Sequence, residues 1–258
     1  MKNSTNKTFT EIAKSVSVLA FWLIVWQIIA LIVDSETLVA TPFCTLKNLV
    51  RLASEKQFYI IVGGSVFRIL TGFFAAVILG SFLGICTSKT PFIDKLLSPL
   101  LYVIKATPVA SFIILALFWL SKETIPSFIS FLMVLPIVYG NVYEGIKNTP
   151  KELIEMTKIY NFSFKKKLTK LYIPTVTPYF IAGAKTSLGL AWKAGVAAEV
   201  ISYTENSIGI NLNSAKTYLE TADIFSWTLN VILISIILEK TLMFGINRIT
   251  NRKRGAKI

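Results

Sequence analysis

The sequence predicts an all-α, polytopic membrane protein with about six spanning helices. Three observations carry this. Of 258 residues, 53% are hydrophobic and only 16% charged, against about 25% charged in soluble domains. Charge is missing from long runs: 19 residues separate Lys14 from Asp34, 20 separate Arg68 from Lys89, and 20 separate Glu123 from Glu144. About 20 apolar residues make one helical crossing. Lys and Arg are also unevenly distributed. With the N-terminus inside, 17 fall in segments 1–14, 87–96, 145–175 and 247–258, and 5 fall in the outer segments 34–59, 121–123 and 200–223. This positive-inside bias predicts both termini in the cytoplasm. It also accounts for most of the net charge of +13 without a nucleic-acid partner.

The spans follow in order. The first covers 15–33. The second, 60–86, contains Arg68. The third, 97–120, contains Lys105, Pro99 and Pro108. The fourth covers 124–144. The fifth, 176–199, carries Lys185 and Lys193, and the sixth, 224–246, carries Glu239 and Lys240 near its inner end. Charge interrupts spans three and five. The lysine-then-apolar N-terminus imitates a signal peptide, but its apolar run is too long and lacks an A-x-A site, so it reads as a retained helix. The organisation predicted is a helix and external amphipathic segment over 1–59 and a core over 60–258.

Several chemistries are excluded by composition. With two cysteines and no histidine, no Cys/His metal site can be assembled and no His acid–base catalysis is available. Cys44 and Cys86 fall on opposite sides of the membrane, which rules against a disulfide. A transmembrane enzyme lacks a convergent acid–base cluster. An ion-gradient-driven secondary transporter should show inverted repeats with broken helices in both halves, and no such halves are visible.

Two outer segments are more than loops. Residues 44–56 place Leu46, Leu49, Val50 and Leu52 among polar residues, which suits a surface amphipathic helix with Thr45 as N-cap. Segment 204–223, with Asn206, Gly209, Asn211 and Asn213, suits a partner contact or a pore-mouth cover.

The inner segment 148–178 carries most information. Thr149 is placed to cap a helix starting at Pro150, with Glu152 completing a capping box. Leu153, Met156 and Tyr160 then share one face. Asn161 suits the left-handed stop, and a second short helix from Ser163 to Tyr172 runs to Pro174. Apolar residues facing outward on such a loop imply a docking partner.

Glu155-Met156-Thr157, three residues, Asn161, and then Ile173-Pro174 resemble the cytoplasmic loop of ABC importer permeases. That loop runs E-A-A, three residues, G, and about a dozen residues to L-P. Met156, Thr157, Asn161 and Ile173 depart from the family residues while keeping the spacing from the Gly position to the Pro. Ser65-Val-Phe-Arg68 with Gly72, Leu135-Pro136 with Asn141-Val-Tyr143-Glu144-Gly145, Gly189-Leu-Ala191-Trp192 with Ala198-Glu199, and Ser207-Ile-Gly209-Ile210 are similar to the nitrate/sulfonate/taurine branch. Together they cover roughly 60–245.

The resemblance implies a type I ABC importer permease fold, located in the bacterial inner membrane. It implies a pore made with a second copy of the chain, two copies of an ABC ATPase that bind ATP and Mg, and an extracytoplasmic solute-binding protein. The permease itself would hold no cofactor. Its chain has no G-x-x-x-x-G-K-[ST] and no Gly-Lys pair. The coupling loop, 148–175, would contribute Glu152, Glu155, Met156, Thr157, Tyr160, Asn161 and Pro174, with Glu155 pairing to a basic ATPase residue. Lys165–Lys167 reads as ordinary positive-inside charge. The solute would resemble nitrate, sulfonates, taurine or a pyrimidine precursor.

Charges inside spans cost on the order of 3 kcal/mol or more and so mark candidate sites. Arg68, Lys105, Trp192, Lys193 and Glu199 are candidates for the translocation path. Arg68 and Lys185 have snorkelling as an alternative. Glu199 has Lys193 or Arg68 as partner. Lys105 and Lys193 facing a pore would suit an anionic solute. Tyr143 and Trp119 are pore-lining or interfacial-belt residues. Gly80 and Gly84 permit close helix approach, read as internal packing.

Overall fold

The chain is described by a computed structural model covering residues 2–35 and 37–255, with side chains for 14, 16–35, 37–246 and 248. Part of the inner charge counted above (Lys2, Lys7, Arg252, Lys253, Arg254 and Lys257) lies outside the described side chains. All regular structure among the described residues is helical: α1 (Lys2–Val33), α2 (Pro42–Ala53), α3 (Lys56–Lys89), α4 (Pro91–Ala106), α5 (Val109–Ala116), α6 (Ile125–Lys147), α7 (Lys151–Ile159), α8 (Phe164–Lys167), a π turn (Leu168–Tyr172), α9 (Ile173–Ser202), α10 (Ile208–Thr217) and α11 (Thr221–Gly255).

Four of these helices are long and apolar enough to cross a membrane: Val16–Val33 in α1, Lys56–Lys89, Ile125–Lys147, and Thr221–Ile246 in α11. The expected third span is not one continuous helix. Its two parts, α4 and α5, meet at a bend of 101°. Pro108 has no N–H to donate and disfavours the helical conformation of the residue before it. Thr107 and Pro108 accordingly take extended ψ values of 133° and 135°. The fifth expected span, α9, has 30 residues. It has the length to cross, but Lys185, Lys193 and Glu199 keep it out of the strongly apolar group. Among the described residues the count is therefore four apolar helices, five if the bent pair is one span, and α9 has the length of a sixth without the hydropathy.

The residues form two compact units, Met1–Tyr59 with Asn211–Val231, and Ile60–Ile210 with Ile232–Ile258. In the first unit, Trp26 donates to the Ala40 carbonyl at 3.0 Å and stacks on Phe225 with centroids 5.5 Å apart. Phe58 stacks on Trp227. Thr41, not Thr45, caps α2: its hydroxyl accepts the Cys44 N–H, and Pro42 supplies the pre-set first turn. Thr45 lies one turn inside, buried, with its hydroxyl donating back to the Thr41 carbonyl. The polar face of α2 is engaged by the start of α11. Asn48 donates to Asp223 and Ser226, and Arg51 pairs with Asp223 at 3.3 Å. Phe43, Leu46 and Val50, at helical spacing, form the exposed apolar stripe. Both cysteines are free thiols.

The second unit is built around α6, whose Ile125, Ile129, Val134 and Val138 are fully enclosed. One core cluster joins Ile113 and Ala116 of α5, Ile125, Ile129 and Met133 of α6, and Ala194 and Ala198 of α9. At three glycines of α3 the helix backbone closely approaches α6, while Ile69 and Phe73 of α3 are buried. A Cβ at Gly72 would stand 2.0 Å from the Ser127 carbonyl oxygen, and one at Gly84 would stand 2.9 Å from that of Tyr139. Gly80 likewise meets Leu135 at 3.0 Å. The G-x-x-x-G of α3 thus packs against α6 of the same chain.

Candidate functional site

The loop helix α7 starts one residue later than its sequence suggests. Pro150 is the cap position and makes no side-chain cap bond. Thr149 is buried, with its hydroxyl directed to the Gly145 carbonyl at 3.4 Å, so the capping box does not form. The helix end follows the expected chemistry. Asn161 is left-handed, with φ 47°. The Phe162 N–H bonds the Thr157 carbonyl at 2.9 Å and the Asn161 N–H bonds the Lys158 carbonyl at 3.0 Å. This pair of bonds is a Schellman turn, which occupies carbonyls the helix end would leave unpaired.

One face of α7 is open. Leu153, Met156, Ile159 and Tyr160 are exposed, the last two at 76% and 70%, and Glu152 and Glu155 lie exposed beside them. Ile159, unremarked in the sequence, is the most exposed of the apolar four. Thr157 does not share this face. It is 1% exposed, on the enclosed side of α7, with its hydroxyl bonded to the Ile154 carbonyl of the same helix. The second short helix is not separate. α8 passes through the π turn directly into α9, with Ile173 N–H bonding Leu168 five residues back. The widened turn makes room for the ring of Pro174, which would otherwise clash with a carbonyl one turn earlier.

Arg68 and Glu199 form an ion pair at 3.1 Å, with the Glu199 side chain fully enclosed. Its carboxylate accepts from Arg68 Nε and Nη2, from Ser65 Oγ at 2.9 Å and from the Gly209 N–H at 3.3 Å. Four donors fill its acceptor capacity. Ser65 also accepts the Ile208 N–H, and Arg68 reaches the Asn206 carbonyl. Gly209 is required by space, because a Cβ there would lie 2.4 Å from Glu199 atoms. The motif stretches that begin at Ser65, at Ala198 and at Ser207 thus converge on one carboxylate. Ser65 and Gly209 were not expected as its partners. The only sequence hint is the i, i+3 spacing that sets Ser65 and Arg68 on one helix face.

The remaining path candidates separate. Trp192 is 1% exposed and packed in the core, which removes it as a lining residue of an open surface. Lys105, in the last turn of α4, and Lys193 on α9 are both exposed. Lys185 pairs with Glu239 at 3.1 Å. Trp119 is exposed. Tyr143 joins a cluster the sequence did not reveal. Asp94 accepts the Tyr139 hydroxyl at 2.9 Å and the Tyr143 hydroxyl at 3.0 Å, and Lys147 stands over the Tyr143 ring. The i, i+4 ladder Tyr139, Tyr143, Lys147 was its available signal.

Several helices long and apolar enough to cross a membrane, joined by a short helix with exposed apolar side chains, define a multi-pass membrane protein. Residues 76–255 match the binding-protein-dependent transport system inner membrane component family, and the chain belongs to that family. It is similar to the Bacillus subtilis protein named for aliphatic sulfonates transport, SsuC, at 24% identity over 205 residues, 78% of this chain and 74% of that one. It is similar to the taurine transport system permease protein TauC of Escherichia coli, at 25% over 236 residues, 89% and 86% of the two chains. It is also similar to the nitrate import permease protein NrtB of a Synechocystis species, at 25% over 197 residues, 71% and 70%. The protein is an ABC importer permease of the nitrate/sulfonate/taurine type.

Proposed function

We propose that two copies of this chain form the translocation path of an importer for a small anionic solute, driven by two ATPase subunits docked on α7. The solute arrives on an extracytoplasmic binding protein, and both termini of the permease face the cytoplasm. ATP and Mg are bound by the ATPase and no cofactor by the permease. The observation that carries this reading is the open face of α7: four exposed apolar side chains beside Glu152 and Glu155, with Thr157 buried on the opposite side. Closure of the ATPase pair would move the two loop helices as rigid bodies and alternate the access of the path. The sulfonate, taurine and nitrate named for the relatives share an anionic oxo group, which supports a solute bearing such a group, as do the exposed Lys105 and Lys193.

Charge reversal at Glu155 tests the coupling role. Glu155→Lys should weaken ATPase association by about 2 kcal/mol or more, roughly thirtyfold, while the permease still reaches the membrane. Co-purification and ATP-driven uptake are the readouts. Normal uptake by that variant would sink the assigned role. Uptake by the native protein that survives ATP depletion with an ion gradient intact would sink the importer mechanism.

A further inference from the structure

A cavity of about 440 Å³ opens within the second unit between α3, α6 and the α8–α9 junction. Its wall is formed largely by Ile85, Val142, Ile146, Leu168, Val176 and Phe180. The π turn contributes Leu168 and Tyr172 to this wall. Two lysines, Lys89 and Lys167, join the lining, and no carboxylate does. Lys89 is the last residue of α3 and Lys167 the last of α8. The Lys89 ammonium is held 5.5 Å over the Phe164 ring. Ser81 Oγ is buried in the same wall with no hydrogen-bond partner among the described residues. It lies eight residues from Lys89, about 12 Å along the helix.

This combination matches an amphiphile. A cavity of this size is many times the volume of one water, and its largely apolar wall offers few partners to a water cluster. A free inorganic anion would find charge at the rim but no cage of donors. An elongated apolar chain with an anionic head satisfies both parts at once: the chain fills the apolar depth and the head meets two ammonium groups. Basic pockets between membrane helices on the cytoplasmic side bind lipid headgroups by this complementarity.

We propose that the cavity holds an acyl chain of an anionic phospholipid from the cytoplasmic leaflet, with its phosphate between Lys89 and Lys167. The leaflet assignment rests on the orientation given above, with segments 87–96 and 145–175 inside. A lipid seated there contacts the junction between the coupling loop and α9, and so bears on the element that the ATPase moves.

The test is native mass spectrometry of the purified permease–ATPase complex in detergent. Phosphatidylglycerol and phosphatidylcholine of the same acyl composition are added separately. The native complex should retain phosphatidylglycerol about thirtyfold better, the effect of two lysines near an anionic head. The double variant Lys89→Gln/Lys167→Gln should lose that preference, and Lys165→Gln/Lys166→Gln should keep it. Val142→Trp, or Ile85→Phe where the first fails to fold, should fill the cavity and lower retention of both lipids. Equal retention of the two lipids by the native complex, unchanged retention by the Lys89/Lys167 variant, or displacement of the lipid by inorganic phosphate would overturn the proposal. Orientation is read separately. Lys89→Cys in a Cys44→Ser/Cys86→Ser background should resist a membrane-impermeant maleimide applied outside intact cells. Labelling from outside would overturn the orientation and the choice of leaflet while leaving the lipid measurement to stand or fall alone.

Discussion

Replacing Glu199 by Ala removes the acceptor at the centre of an enclosed polar cluster in the second unit. Arg68, whose side chain is 17% exposed, would keep its charge and lose both bonds to the carboxylate. Ser65 Oγ and the Gly209 N–H would lose their acceptor. Breaking a fully buried pair by removing one partner costs about 3–5 kcal/mol, and the cost here should fall at the low end of that range because Arg68 stays partly exposed and keeps its bond to the Asn206 carbonyl. Glu199→Gln retains one amide oxygen for two of the donors and should cost less, about 1–3 kcal/mol. A double change to Arg68→Met/Glu199→Met removes the stranded charge, so its cost should fall short of the sum of the two single changes by at least about 1 kcal/mol. Unfolding of the purified permease by titrated dodecyl sulfate, followed by tryptophan fluorescence, measures this. Trp192, buried two turns before Glu199 on α9, is a local reporter. A Glu199→Ala protein within about 0.5 kcal/mol of the native one, or a double variant whose cost is simply additive, would refute the claim that this pair holds α3, α9 and the 206–209 turn together.

Other outcomes follow from the same geometry. Gly72→Ala and Gly209→Ala, where a Cβ would meet backbone at 2.0 Å and 2.4 Å, should lower folded yield sharply in size-exclusion profiles. Gly140→Ala and Gly189→Ala, with nothing within 4 Å, should be neutral or stabilising by about 0.5–1 kcal/mol through helix propensity. Asn161→Gly should keep the α7 stop and ATPase co-purification, whereas Asn161→Val should cost about 1–2 kcal/mol at a φ of 47°. A Val variant as stable as the native chain would show that the left-handed turn does not matter to the loop.

Much of this molecule is legible without coordinates because a bilayer imposes a one-dimensional constraint. A helix alone in lipid must be apolar over its crossing length, so α1, α3, α6 and α11 announce themselves by composition. Local chemistry was readable too: Asn161 has the short polar side chain that tolerates a left-handed stop, and Pro108 breaks the third span because its ring does so in any context. Thr45 and Thr149 illustrate the limit of local reading. Each has the right residue type for a cap, yet each hydroxyl is claimed by a carbonyl four residues back, and Thr41 and Pro150 hold the cap positions instead.

The all-helical class, the membrane, the family loop and its spacing were determined by the sequence alone, since they depend on residues near one another along the chain. Which side chains meet was decided by tertiary structure. Glu199 lies 131 residues from Arg68 and 134 from Ser65, and Trp192, Lys193 and Glu199 share one helix yet are core, surface and ion pair. A helix offers every direction around its axis, and only the packing of its neighbours selects which of them is buried.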